Sequence, residues 1–442
     1  MPSYGPEVLG PPQRDPEQTF WDPEIQTMDP EKLQDLQTDR LRVLVSKVLD
    51  TPVPLFARKL AEAGITSADD IKTLDDIKHI PLTVKQDLRD SEAEHPPWGD
   101  YRFLDPRKAV RLGTSTGTTG TPTISLWTRR DLFIEYESGA RCWWRYGHRP
   151  GMIITHAHPA YLYAGGALLS GCYEYFGFLN LWVPPPDTDE LAEQGLRFWL
   201  RVTPDLPFMG FTTGRFFEVA TKLGIDPKDA GLEFRPMPGF GLGKGMPLMT
   251  AGAECFAYLG SGCGKSPGAH LAQDWSIVQA VDPSTGLEVP DGEWGNLVVT
   301  TLDRDNGLLR YDLEEACAIM REPCPCGETT IRGLWGGRFK DLIACQGHFF
   351  QANEVESALR SVGEVAEPTV EWQMVRPTGD LEHKPLRVRV EVGASTTTAK
   401  QDVGGLCAAA IQQALGIETV IEVLDRETLP RAGYKTVRVV EQ

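Results

Sequence analysis

Between Thr114 and Thr123 the chain reads Thr-Ser-Thr-Gly-Thr-Thr-Gly-Thr-Pro-Thr, where every residue but Pro122 is a hydroxyl carrier or a glycine. Such a run cannot form the interior of a helix or strand, because glycine is entropically costly there and Ser and Thr side chains compete for backbone partners. It predicts a loop. Glycines let backbone N–H groups approach an anion closely, and hydroxyls add donors that adjust to several oxygens as charge moves among them. The combination points to nucleotide phosphate. It is not a Walker loop, which needs Gly-Lys-Ser/Thr where Gly120 is followed by Thr121 and Pro122. A flexible Thr/Gly linker is the bland alternative, but apolar and aromatic segments flank the run, whereas linkers sit among polar ones.

A chain of 442 residues can bury a large core and usually splits, so two unequal domains are expected. Apolar residues at 41% and charged residues at 24% are ordinary for a globular protein. No apolar run is long enough to span a bilayer and the proline- and acid-rich start resembles no signal peptide, so a cytoplasmic location and no membrane partner are expected. The formal charge of −18 argues against nucleic acid, which requires concentrated Lys and Arg, yet allows a locally basic anion site. Nine cysteines without framework spacing suit thiols or metal ligands better than disulfides.

Leu33, Leu36, Leu41, Leu44, Val45 and Val48 recur at helical spacing and predict an amphipathic helix over 30–49, with a second over 54–63 ending at Gly64. Met152-Ile153-Ile154 reads as a buried strand opening into an aromatic and glycine-rich turn that holds Tyr161, Tyr163 and Gly165, where an α/β protein places a ligand. Core aromatics beneath a loop are the alternative there. Cys263 and His270 precede Pro323-Cys324-Pro325-Cys326. Three thiols and one imidazole make a tetrahedral zinc set with no open position, hence structural; Cys255 competes as the fourth ligand. Beyond Phe349 the pattern alternates: helix near 354–360, strands 370–375 and 386–392, helix 400–415, strand 419–423.

The Thr114–Thr121 run resembles the Ser/Thr/Gly-rich phosphate loop of the adenylate-forming (acyl-CoA synthetase) superfamily, and its surroundings resemble the phenylacetate–CoA ligase branch. Phe20-Trp21-Asp22-Pro23-Glu24, Leu36-Gln37, Arg40-Leu41, Leu74-Asp75-Asp76-Ile77 and Pro81-Leu82-Thr83-Val84-Lys85 follow in that branch's order, and matches continue to Arg438. The resemblance implies an α/β fold: a large N-terminal adenylate-forming domain of mixed sheets and helices over 1–337, and a small α+β C-terminal lid over 338–442. It implies that Thr114, Ser115, Thr116, Gly117, Thr118, Thr119, Gly120 and Thr121 hold ATP phosphates, and that Tyr161, Tyr163 and Gly165 line the acyl pocket. Thr250-Ala251-Gly252-Ala253-Glu254 stands for a motif whose Glu binds Mg²⁺, although Pro236–Gly262 is shorter than the family's segment and the usual Tyr and Gly are Thr250 and Ala251. In Arg310-Tyr311-Asp312-Leu313-Glu314-Glu315, Glu315 replaces the ribose-binding Asp. Gly336-Gly337-Arg338-Phe339-Lys340-Asp341 matches the hinge, with Arg338 as nucleotide contact and Lys340 as hinge residue. Lys435, in Arg431-Ala432-Gly433-Tyr434-Lys435, takes the place of the catalytic lysine. Some members also carry Cys…His…Cys-x-Cys where Cys263, His270, Cys324 and Cys326 stand.

The chemistry implied is attack of a carboxylate on the α-phosphorus of ATP, giving an acyl adenylate that a thiol, usually coenzyme A, then takes over. The acid is expected to be aromatic because the branch commonly uses one. An amine acceptor, a small inorganic acid such as nitrite, and a nucleotide-binding relative without turnover remain open, as does a homodimer.

Overall fold

The computed structural model describes residues 14–51, 53–115, 121–157, 164–207, 213–226, 248–338, 343–346, 348–350, 352–366, 370–376, 382–383, 385–430 and 438–441. It is a mixed α/β structure of two compact units. The first comprises Met1–Met152, Pro159–Asn180 and Gly243–Trp335; the second comprises Ile153–His158, Leu181–Leu242 and Gly336–Gln442.

In the first unit the helix Pro30–Asp50 begins where Pro30 presets the first turn and the Asp29 carboxylate accepts from the Glu31 and Lys32 N–H groups. It buries Leu33, Gln37, Leu41, Leu44, Val45 and Val48 along one face and stops at Thr51, before Pro52. The helix Pro54–Glu62 follows.

The main sheet has seven strands in the order Leu248–Met249, Gly260–Ser261, Ala269–Leu271, Arg332–Arg338, Tyr311–Met320, Gly295–Thr301, Ser276–Val281. Ser276–Val281 and Gly295–Thr301 are buried at every position, so both faces of this edge are covered and an apolar-polar alternation would not serve. The last three residues of Arg332–Arg338 belong to the second unit.

Through the first unit runs the helix Arg129–Arg145, opened by a capping box in which Thr128 and Asp131 bond each other's backbone. It carries four buried charged side chains, and with the half-buried Arg145 all of them find partners. Asp131 accepts from the Asp305 N–H, and Glu135 pairs with Arg304 at 2.8 Å. Glu137 accepts from the Trp21 indole, Arg141 clasps Asp274 with two bonds of 2.7 and 2.9 Å, and Arg145 clasps Glu328. Removing one member of such a buried pair costs roughly 3–5 kcal/mol, because the other charge is then stranded. The helix therefore fixes the segments it touches in register with one another.

In the second unit, the strand Ile153–His156 pairs in parallel with Leu206–Pro207. Ala157, Val183, Ala192, Leu196, Trp199, Phe216, Val219 and Ala220 form a core that includes the inner faces of helices Asp189–Val202 and Thr213–Lys222. Its C-terminal part holds a four-stranded sheet in the order Thr419–Leu424, Leu386–Glu391, Trp372–Arg376, Val439–Glu441. Helices Ala352–Arg360 and Lys400–Leu415 contribute Val355, Leu359, Val403, Cys407 and Ile411 to the core shared with that sheet. Gly416, at φ 73°, ends the latter helix in the left-handed conformation.

Candidate active site

The Thr/Gly run closes a two-stranded hairpin. Arg111–Thr114 pairs antiparallel with Ile124–Trp127, ending with Thr114 opposite Ile124. Thr116, Gly117, Thr118, Thr119 and Gly120 lie outside the described residues; the base of the loop is closed by reciprocal bonds. The Ser115 N–H donates to the Thr123 carbonyl at 3.0 Å, and the Thr123 N–H returns a bond to Ser115 Oγ at 3.1 Å. On the strand entering the loop, Gly113 has no room for a side chain: a Cβ there would stand 2.5 Å from the Cβ of Ala164, the first residue of helix Ala164–Phe176. Gly165, the next residue, is buried in that first turn, while Tyr161 and Tyr163 lie outside the described residues.

Glu254, in the one-turn helix Gly252–Cys255, meets the loop directly. Its Oε1 accepts from Thr123 Oγ1 at 2.7 Å and forms an ion pair with Lys85 Nζ at 2.8 Å. Lys85 opens the helix Lys85–Glu94, and one turn on Arg89 donates to the Thr121 carbonyl at 3.1 Å. The helix thus presents two cations to the loop. Neither Lys85 nor Thr123 was among the residues to which the sequence assigned chemistry. Pro81-Leu82-Thr83-Val84-Lys85 stood out only by order, and a bond spanning 169 residues leaves no local signature.

Glu315 lies on Tyr311–Met320 and accepts a hydrogen bond from the Trp335 indole at 2.8 Å. Burial first, then nearby carboxylates, pushes the Cys255 thiol well above its ordinary range. Glu254 also approaches this strand through Gly252, whose missing Cβ would stand 3.0 Å from Glu254 Oε2 and 3.5 Å from Leu313 Cδ2. The loop base and Glu254 are brought together, and Glu315 lies two residues along the strand from Leu313, which stands beside Gly252. Arg310 is an internal clamp: its guanidinium donates to the carbonyls of Lys78, Ile80 and Gly286.

In the second unit, Lys340 and Lys435 lie outside the described residues, and of Arg338 only the backbone is described. Both flanks of the Lys435 segment are anchored. The Glu391 carboxylate accepts from the Glu427 and Leu429 N–H groups, and Arg438 pairs with Glu356 at 3.0 Å while donating to the Trp372 carbonyl.

The four metal-ligand candidates converge. The Nε2 or Sγ atoms of Cys263, His270, Cys324 and Cys326 all lie within 4.8 Å of one another, with Cys263 Sγ 3.5 Å from Cys324 Sγ and Cys326 Sγ 3.3 Å from His270 Nε2. A tetrahedral zinc with Zn–S of about 2.3 Å holds its sulfurs about 3.8 Å apart, so the donor set fits. His270 Nδ1 lies 3.1 Å from the Thr330 carbonyl, and burial lowers the imidazole to about 4, leaving it neutral with Nε2 turned to the thiols. Beside it, Glu328 accepts from Arg145, from Gln26 and from Thr330 Oγ1. Cys255, the rival fourth ligand, is not in the group.

No protein-family model matches the chain. It is 32% identical over 392 residues to the phenylacetate–coenzyme A ligase of Thermus thermophilus, with 84% of each chain covered. The chain belongs to the phenylacetate–coenzyme A ligase family. The family's Escherichia coli ligase is 25% identical over 451 residues, covering 94% of this chain and 96% of that one. Among solved structures, 2-hydroxyisobutyryl-CoA ligase in its postadenylation state with 2-HIB-AMP superposes with a TM-score of 0.79 at 22% identity, over 98% of this chain and 95% of that one. That likeness shows the adenylate-forming fold. As a member of the phenylacetate–coenzyme A ligase family the protein is an ATP-dependent adenylate-forming ligase. Among the described residues, no helix is long and apolar enough to cross a membrane.

Proposed function

We propose that the protein activates an aromatic carboxylic acid with ATP and transfers the acyl group to coenzyme A. The observation that carries this reading is the bond from Thr123, at the foot of the phosphate loop, to Glu254, 131 residues away. It joins an anion-binding turn to the carboxylate expected to hold the metal.

In the first step a carboxylate oxygen attacks the α-phosphorus and the bond to pyrophosphate breaks; in the second the thiol sulfur attacks the acyl carbon and AMP leaves. Bringing two anions together calls for positioning and positive charge. Thr114–Thr121 hold the β- and γ-phosphates, Lys85 and Arg89 supply cations beside them, Glu315 takes the ribose and Arg338 contacts the nucleotide. Glu254 would hold Mg²⁺, which when bound neutralises phosphate charge. Lys435 stabilises the charge that develops at the α-phosphate. Tyr161, Tyr163 and Gly165 line the acyl pocket. The boundary we assign between the large domain, 1–337, and the lid, 338–442, places Lys340 at the hinge. ATP and coenzyme A as substrates suit a cytoplasmic enzyme, and sedimentation distinguishes a monomer from a homodimer.

Pyrophosphate release across a panel of acids, with and without coenzyme A, tests the reading. Release should depend on an aromatic acid, and thioester should form when the thiol is added. Release without thioester would transfer the proposal to another acceptor, such as an amine. ATP binding with no release from any acid would mean a relative without turnover.

We further assign a structural Zn²⁺ to Cys263, His270, Cys324 and Cys326. Protein purified without added metal should contain about one equivalent. Chelation, or Cys324→Ser, should lower the melting midpoint by several degrees. A metal-free preparation that melts like the untreated protein would remove the assignment.

A further inference from the structure

Glu315 is one methylene longer than the Asp expected at its position, and a longer arm has an additional torsion to immobilise before it can hold a ligand. Two features of the fold compensate. The first is a bulge. Gly295 and Asn296 stand opposite Cys317 and Ala316, but Val298 and Val299 stand opposite Asp312 and Tyr311, so Leu313, Glu314 and Glu315 are looped out against the single residue Leu297. Asn296 Nδ2 donates to both Asp312 oxygens, at 3.2 and 2.9 Å, and the Glu314 N–H donates to Asp312 Oδ1 at 2.8 Å with Glu314 at φ 55°. A bulge fixed in this way re-aims the next side chain. The second is the Trp335 indole, on the neighbouring strand Arg332–Arg338, which donates to Glu315 Oε2 at 2.8 Å. Its ring packs against the main core of the first unit, so the donor is held on a rigid platform.

Building on the reading of Glu315 as the ribose carboxylate, we propose that Trp335 is its positioning residue, and that the Glu315–Trp335 pair replaces the shorter Asp as the group that reads the ribose hydroxyls. The chemistry balances without rearrangement. An ionised carboxylate has about four acceptor sites, so it can accept both from the indole and from the 2′- and 3′-hydroxyls of a ribonucleotide. The indole bond withdraws the carboxylate and removes its rotational freedom before the nucleotide arrives, which lowers the ordering cost of binding. A site built to accept bonds from hydroxyls discriminates against a sugar lacking one.

The test is a double-mutant cycle of Glu315→Gln and Trp335→Phe, read as KM for ATP, kcat, and preference for ATP over 2′-deoxy-ATP. E315Q should raise KM about tenfold or more and reduce the preference. W335F should move both in the same direction by about fivefold with kcat nearly unchanged, and should add little in the E315Q background. W335H, which keeps a ring N–H, guards against a folding defect: it should retain preference that W335F loses. Native KM and preference in W335F, or an effect fully additive with E315Q, would overturn the role of Trp335 while leaving the ribose reading in place. Native behaviour in E315Q would overturn both.

Discussion

Lys435→Ala should reduce acid-dependent pyrophosphate release by a factor on the order of 10²–10³, the loss seen when one preorganised donor to a developing oxyanion is removed. Transfer of a preformed acyl adenylate to coenzyme A should be nearly unaffected, since the proposed role of the lysine ends with adenylation. The variant should also melt like the parent. The described residues on either side of the segment are held independently of it: Glu391 accepts from Glu427 and Leu429, and Arg438 is bound to Glu356 and the Trp372 carbonyl. Val439 then continues in parallel register with Met374. These anchors belong to the flanks, so truncating the lysine should separate chemistry from folding. Pyrophosphate release at the parent rate in K435A would remove the lysine from the mechanism.

The Mg²⁺ dependence of Glu254→Gln should shift strongly. Glutamine retains an oxygen that accepts from Thr123, so the tie to the foot of the loop survives, but it has no charge for Lys85 or for a divalent cation. Because a bound metal contributes several kcal/mol of charge stabilisation, activity at limiting Mg²⁺ should fall on the order of 10²-fold, with partial recovery at high Mg²⁺. In the structure Lys85 pairs with Glu254 at 2.8 Å, so the carboxylate at the foot of the loop has a cationic partner before phosphate and metal arrive. An unchanged Mg²⁺ titration in E254Q would falsify the metal assignment and return Glu254 to a purely structural pairing with Lys85.

Several parts of this molecule were legible because their signals are local. Asp29-Pro30 followed by apolar residues at helical spacing needs only the first helix to be understood, and that helix runs Pro30–Asp50. The same holds for Lys400–Leu415. The Thr/Gly run announces a loop because its residues fit nothing else, and it closes the hairpin of Arg111–Thr114 and Ile124–Trp127. Residue type, together with the resemblance, marked Cys263, His270, Cys324 and Cys326 as metal-ligand candidates. Their grouping, and the exclusion of Cys255, depended on strands that bring Ala269–Leu271 against Arg332–Arg338.

Other residues were misjudged or unassigned because their roles exist only after distant segments pack. Lys85 and Thr123 acquire a partner across 169 and 131 residues. Arg310 binds three backbone carbonyls that come from segments far away in sequence. By itself the sequence determined several of the helices and strands and which chemical groups were available, since propensity and periodicity act over a few residues, whereas Gly165, expected in a turn, lies in the first turn of the helix Ala164–Phe176. The tertiary structure alone decided which of those groups meet: the bulge that turns Glu315 toward Trp335, and the carboxylate of Glu254 beneath the loop. Hydrogen bonds are satisfied over a few ångströms of space, whatever their separation along the chain.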